Sequence, residues 1–154
     1  MHFGAPLNLF VPGRICLFGE HSDWAGSYRS VNQSLSPGRA IIACTEQGIH
    51  ATVRPSQDFL IIRSTLSDGR KTDGFKVSMS LESLETAARA GGFFSYAAGV
   101  AFEILKKYRV GGLEIDNHYT DLPVKKGLSS SAAFCVLTAR AFSRIYGLDF
   151  SPRQ

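Results

Sequence analysis

Two stretches of this chain hold residues whose types and spacing could do chemistry. The first, residues 121–133, reads Asp-Leu-Pro-Val-Lys-Lys-Gly-Leu-Ser-Ser-Ser-Ala-Ala and joins a strand-like segment to a long apolar helix. Gly127 lets the backbone approach a ligand closely, and Ser129, Ser130 and Ser131 place hydroxyls and backbone N–H groups at the first turn of the helix. Those N–H groups have no partner inside the helix, and the macrodipole adds partial positive charge there, so an oligophosphate is a natural guest. Lys125 and Lys126 add charge just upstream. A bare helix cap needs one serine. Three after Gly127-Leu128, beside two lysines, favour a phosphate cradle.

The second stretch is Gly19-Glu20-His21-Ser22-Asp23-Trp24, which follows an apolar, strand-like run. Polar residues in a loop at the end of a strand are often binding residues on a rigid scaffold. Glu20 and Asp23 can accept hydrogen bonds from sugar or alcohol hydroxyls, His21 can donate or accept, and Trp24 offers an apolar face. The plainer alternative is a surface turn with an aspartate cap. A metal site at His21 and Asp23 is disfavoured, because no further His or Cys lies nearby at ligand spacing.

These residues need elements to hold them. Residues 7–18 are apolar and β-favouring, broken by Pro12-Gly13, which implies two short strand pieces meeting at a turn or bulge. Residues 38–54, 59–62 and 75–79 read as antiparallel strands with polar connections. The connection Asp68-Gly69-Arg70-Lys71-Thr72 fails the P-loop pattern, which requires glycine immediately before the lysine, and reads as a hairpin turn. His50 stands alone on a strand and reads as structural. Helical character over 81–90 breaks at Gly91-Gly92 and resumes over 94–108. Residues 113–119 alternate as a strand with Leu113, Ile115 and Asn117 on one face. The final helix, about 129–146, offers Ala133, Val136, Leu137, Arg140, Ala141 and Ile145 as a core stripe. The whole reads as one α+β domain with an anion site at a helix start.

The chain has 154 residues, 44% apolar and 19% charged, which suits one globular domain and excludes a disordered chain. The net charge of +4 comes from Lys and Arg scattered in runs no longer than two, so a small anion fits better than nucleic acid. Cys16, Cys44 and Cys135 are odd in number, far apart and set among apolar neighbours, so buried thiols in a reducing compartment are expected rather than disulfides. No stretch approaches the ~18 apolar residues that a membrane helix needs, and no signal-peptide pattern opens the chain, so a cytoplasmic location without a membrane partner is expected.

Gly127-Leu128-Ser129-Ser130-Ser131-Ala132-Ala133 resembles the phosphate-binding motif of the GHMP kinases, the superfamily of galactokinase, homoserine kinase, mevalonate kinase and phosphomevalonate kinase. Residues 12–23 resemble the first motif of the same superfamily. Within it, Pro12-Gly13-Arg14 followed by Gly19-Glu20-His21-Ser22-Asp23-Trp24 resembles galactokinase more than the mevalonate branch. Lys125 stands where the family pattern has glycine, and a lysine there either covers bound phosphates or imposes a different turn.

The resemblance implies the GHMP kinase N-terminal fold (like domain 2 of ribosomal protein S5), a mixed sheet packed against helices. It also implies ATP and Mg²⁺ as cofactors and a sugar or other alcohol as substrate. Arg14 would then lie near the reacting hydroxyl, with Glu20, His21 and Asp23 on the sugar's other hydroxyls. Lys125, Lys126, Gly127, Leu128, Ser129, Ser130, Ser131 and Ala132 would bind ATP, with the Ser131 hydroxyl also on Mg²⁺. Residues 1–154 would be the N-terminal ATP- and substrate-binding portion, with a catalytic aspartate and an acidic magnesium ligand in a C-terminal domain outside this chain. On that implication the 154 residues alone are inactive. The alternative is a catalytically silent relative that binds sugar and nucleotide.

Overall fold

The computed structural model describes residues 5–20, 25–66, 68–122 and 130–150. Its elements are β1 (Leu7–Phe18), α1 (Ala25–Arg29), β2 (Ile41–Ser56), β3 (Phe59–Ser64), β4 (Phe75–Ser78), α2 (Leu81–Arg89), α3 (Ser95–Lys107), β5 (Gly112–Thr120) and α4 (Ser130–Tyr146). The strands form one mixed sheet in the order β1-β2-β5-β3-β4. Period-2 alternation sends Leu9 and Val11, Ile49, Ala51 and Val53, Leu60 and Ile62, and Leu113 and Ile115 to one buried face. There they meet Leu84 of α2, Ala97, Ala101 and Ile104 of α3, and Phe134, Leu137, Ala141 and Phe142 of α4. The architecture is the expected α+β arrangement.

The order of the strands in the sheet is not their order in the chain. β2 and β3 are separated only by Gln57 and Asp58 and run antiparallel, yet β5 lies between them, antiparallel to β2 and parallel to β3. Gly112 makes this possible. It pairs with Ser56, and any Cβ placed on it would collide with the backbone of Phe59, so only glycine lets β5 enter between the two strands. The β3–β4 pairing is antiparallel as expected, and Thr65 bridges Lys71 around the Asp68–Arg70 turn. There Asp68 accepts from the Arg70 backbone N–H (3.0 Å) and guanidinium (2.7 Å). The backbone bond first, and then the side-chain bond, hold its carboxyl below the usual aspartate range.

Residues 7–18 form one continuous strand, with the expected bulge at Pro12-Gly13 as a register shift between Pro12 and Arg14 and a second shift between Cys16 and Phe18. The α4 stripe is corrected. Val136 and Arg140 are exposed, and the buried face is Ala133, Phe134, Leu137, Thr138, Ala141 and Phe142. The helix turns its two phenylalanines inward, and Thr138 tolerates burial because its hydroxyl donates to the Phe134 carbonyl (2.9 Å). The thiols depart from expectation too, Cys44 being exposed and Cys16 and Cys135 half-buried; all three are free. His50 lies between the rings of Phe10 and Tyr119, at centroid distances of 4.7 and 5.4 Å, in keeping with a structural role. The short helix α1 was not legible in the sequence. Among the described residues no helix is long and apolar enough to cross a membrane.

Candidate functional site

β5 pairs with β2 only from Ile49 onward, so the far end of the β1–β2 pair, Arg14–Phe18 against Ile41–Cys44, extends beyond β5 as a two-stranded ribbon. The two register shifts in β1, at Pro12/Arg14 and Cys16/Phe18, bracket the stretch Arg14–Cys16 on this ribbon. After Phe18 the chain turns at Gly19, whose φ of 79° and close approach to the Arg39 carbonyl exclude a side chain. That turn brings Glu20 back to Arg14, with Nη2 to Oε1 at 4.0 Å and both side chains about half exposed. Such a contact contributes little stability in water. What it achieves is a guanidinium and a carboxylate held side by side at the end of a strand.

Cys16, two residues along from Arg14, joins them. Its Sγ donates to the Phe18 carbonyl (3.2 Å), and partial burial, followed by the neighbouring Glu20, pushes the thiol above its ordinary pKa. The strand period, which puts residues 14 and 16 on one face, was the signal that could have placed Cys16 here.

At the other candidate site, Ser130 and Ser131 open α4 and are half-buried, with Ala132 exposed. α4 is fixed on the sheet at two further points. Arg140 Nη1 donates to the Phe10 carbonyl (2.9 Å), and the Tyr146 hydroxyl donates to the Gly112 carbonyl (2.6 Å). Gly112 pairs with Ser56 at one end of β2, and Phe10 pairs with His50 near its middle. Followed from Tyr146 to Arg140, the helix therefore runs toward the ribbon. Its first residues lie about 15 Å beyond Arg140 at 1.5 Å per residue. The N-terminus of α4 is directed toward the end of the sheet that carries Arg14 and Glu20. His21, Asp23, Lys125, Lys126, Gly127, Leu128 and Ser129 lie outside the described residues.

The chemistry of Ser130 and Ser131 fits the implied cofactors. Hydroxyl oxygens are hard ligands, and the opening N–H groups of a 17-residue helix suit phosphate oxygens. Among the described residues no three His, Cys, Asp or Glu side chains form a metal cage.

Residues 95–154 match the family model described as GHMP kinases N terminal domain. The galactokinase of Clostridium tetani is 31% identical over 144 residues, which cover 93% of this chain and 32% of that protein. The galactokinase of Pyrococcus furiosus is 26% identical over 145 residues, covering 92% and 34%. The chain thus spans about a third of the length of the curated relatives it matches. In fold it is similar to the mevalonate kinase of Methanococcus jannaschii, with a TM-score of 0.67 and 21% identity over 96% of this chain and 43% of that one. It is similar also to the phosphomevalonate kinase of Streptococcus pneumoniae in complex with phosphomevalonate and AMPPNP, with a TM-score of 0.52 and 21% identity over 94% and 38%. The match of residues 95–154 to the GHMP kinase N-terminal domain, the galactokinase relatives along nine-tenths of the chain and the shared sheet-and-helix fold agree, and together they make the chain similar to the GHMP kinases.

Proposed function

We propose that the protein to which these residues belong is an ATP-dependent kinase acting on a small-molecule hydroxyl, with a sugar as substrate. The observation that carries this reading is the direction of α4, which aims a serine-rich helix start toward the ribbon end where Arg14 and Glu20 meet. Phosphoryl transfer is chiefly positioning and charge neutralisation, and this arrangement supplies both. In this reading the backbone amides and hydroxyls of residues 127–131 hold the phosphates, with Lys125 and Lys126 adding charge. The Ser131 hydroxyl would hold magnesium, which when bound would supply positive charge at the phosphates. Arg14 lies beside the reacting hydroxyl, while Glu20, His21 and Asp23 hold the other hydroxyls of the sugar. The galactokinase relatives support a sugar over mevalonate. A C-terminal domain supplies the catalytic aspartate and the acidic magnesium ligand.

The test uses the full-length protein with Mg-ATP and a panel of hexoses, galactose included. Sugar phosphate should form, and Asp23→Ala should weaken sugar binding by about 1.5–3 kcal/mol, the typical loss for a charged hydrogen-bond partner, with nucleotide affinity nearly unchanged. Equal damage to both affinities in a folded variant would count against the assignment. Ligands that raise the melting temperature with no phosphate transferred would instead identify a silent binding relative.

A further inference from the structure

The last regular rung between β2 and β5 joins Ile49 to Thr120. The next would join Gly48 to Asp121, and it is made in an unusual way. The backbone N–H of Asp121 donates to the Gly48 carbonyl (3.4 Å), while the Gly48 N–H donates to the side-chain Oδ1 of Asp121 (2.7 Å) and not to a backbone carbonyl. The carboxylate thus completes the rung, and the main chain is released from the ladder at that residue. A charge-assisted bond of this length is among the stronger ones available to a backbone amide. Thr120 reinforces the exit, its hydroxyl donating to the Gly48 carbonyl (3.3 Å) and accepting from the Leu122 N–H (3.4 Å). Leu122, the next side chain, is buried in the core.

The other end of the following segment is the start of α4, a helix anchored on the same strand pair. α4 opens at Ser130, and its Arg140 is bonded to the carbonyl of Phe10, whose ring packs on Gly48. Residues 123–129 therefore join the exit at Gly48 to a helix whose own anchor on the β1–β2 pair, Arg140 on Phe10, lies about 15 Å along from its start.

From this geometry we infer that Asp121 is a positioning residue for nucleotide binding: its carboxylate, held on the Gly48 N–H, sets where the chain leaves the sheet and so the starting point of the phosphate-binding segment. The inference rests on the functional reading above. Asp121 touches no substrate in it and acts through the segment it launches. Effects of this kind are large where the segment must place several donors around one ligand.

The test is made in the full-length protein with Asp121→Ala, Asp121→Asn, Asp121→Glu and Ser131→Ala. It reads AMPPNP affinity in the presence of magnesium, the KM for sugar, kcat and the melting temperature. Asp121→Ala should weaken nucleotide affinity about tenfold while changing the sugar KM less than about twofold, and Asp121→Asn, which keeps an acceptor oxygen in place, should restore most of the loss. Should the alanine variant fail to fold, Asp121→Glu decides: it keeps the charge but displaces the oxygen by one methylene, and several-fold weaker nucleotide binding is expected. Nucleotide affinity at the wild-type level in the folded Asp121 variants, with Ser131→Ala impaired, overturns the inference and leaves the kinase reading standing. Equal losses for sugar and nucleotide also overturn it, since they mark a merely structural role. If Ser131→Ala too binds nucleotide normally, the phosphate-cradle reading falls and the inference falls with it.

Discussion

The ring of Phe10 lies directly over the α-carbon of Gly48, in the space a side chain at position 48 would occupy, and the Val11 carbonyl closes the same space from the backbone side. Phe10 and Gly48 thereby set how closely β1 approaches β2 at the point where Asp121 leaves the sheet. Gly48→Ala is expected to lower stability by about 1–3 kcal/mol, the usual cost of overpacking a closed site. Urea denaturation measures it. Adding Phe10→Ala should recover only part of the loss, because the Val11 carbonyl is fixed by the backbone and cannot move aside as a ring can.

Much of this fold was legible because its signals are local. Alternation in 113–119 and the glycines at 91–92 needed only neighbouring residues to be read. The insertion of β5 between β2 and β3 was not, since it depends on Gly112 meeting Phe59 across more than fifty residues of sequence. The inward face of α4 was misjudged by about one residue for a related reason. Apolar spacing admitted two neighbouring stripes, and the choice between Val136 and Phe134 is made by the shape of the sheet they pack on. Of the polar run after β1 the structure describes Gly19 and Glu20, the remainder to Trp24 lying outside the described residues. Pro12-Gly13 announced the first bulge of β1, but the return of Glu20 to Arg14 and the presence of Cys16 beside them depend also on the turn at Gly19 and on a second register shift, at Cys16/Phe18, that no residue pattern announced.

The three thiols should differ in reactivity. Burial is the leading cause that pushes Cys16 and Cys135 above the ordinary thiol pKa, with Glu20 adding to the effect at Cys16, whereas Cys44 is exposed on the ribbon. The thiolate is the species that reacts. At pH 8 iodoacetamide is expected to label Cys44 several-fold faster than either of the others, as followed by mass spectrometry of peptides. Comparable rates at all three would contradict the burial of Cys16 and Cys135.

Tyr146 gives a pH dependence. Burial raises its pKa above the ordinary tyrosine value of about 10, and its hydroxyl is bonded to the Gly112 carbonyl at 2.6 Å. The folded state holds this proton more tightly than the unfolded chain. Its contribution is therefore fully present below about pH 10 and is lost as pH rises through the raised, folded value. Tyr146→Phe should cost roughly 1 kcal/mol near pH 8 through the lost hydrogen bond. The variant should also lose less further stability than the wild type between pH 8 and pH 11. Parallel urea midpoints for both proteins across that range would show that Tyr146 does not titrate between the two states.

The final prediction separates a phosphate cradle from a helix cap. Ser131 lies half-buried in the first turn of α4, and alanine is the best helix former, so Ser131→Ala removes a hydroxyl without disturbing the helix. In the full-length protein it is expected to lower Mg-ATP affinity or turnover by roughly tenfold or more, consistent with the loss of a hydrogen bond to a charged group, while the melting temperature changes little. Lys125→Gly, which restores the glycine of the family pattern, probes the charge upstream. A lysine over the phosphates makes an exposed charge contact that salt screens, so its removal should weaken nucleotide binding and flatten the dependence of affinity on ionic strength. Unchanged affinity and salt response would instead assign Lys125 to solvent. If Ser131→Ala, Ser130→Ala and Lys126→Ala all bind and turn over nucleotide at wild-type levels, the serine run does no more than begin a helix, and the phosphates must be held elsewhere.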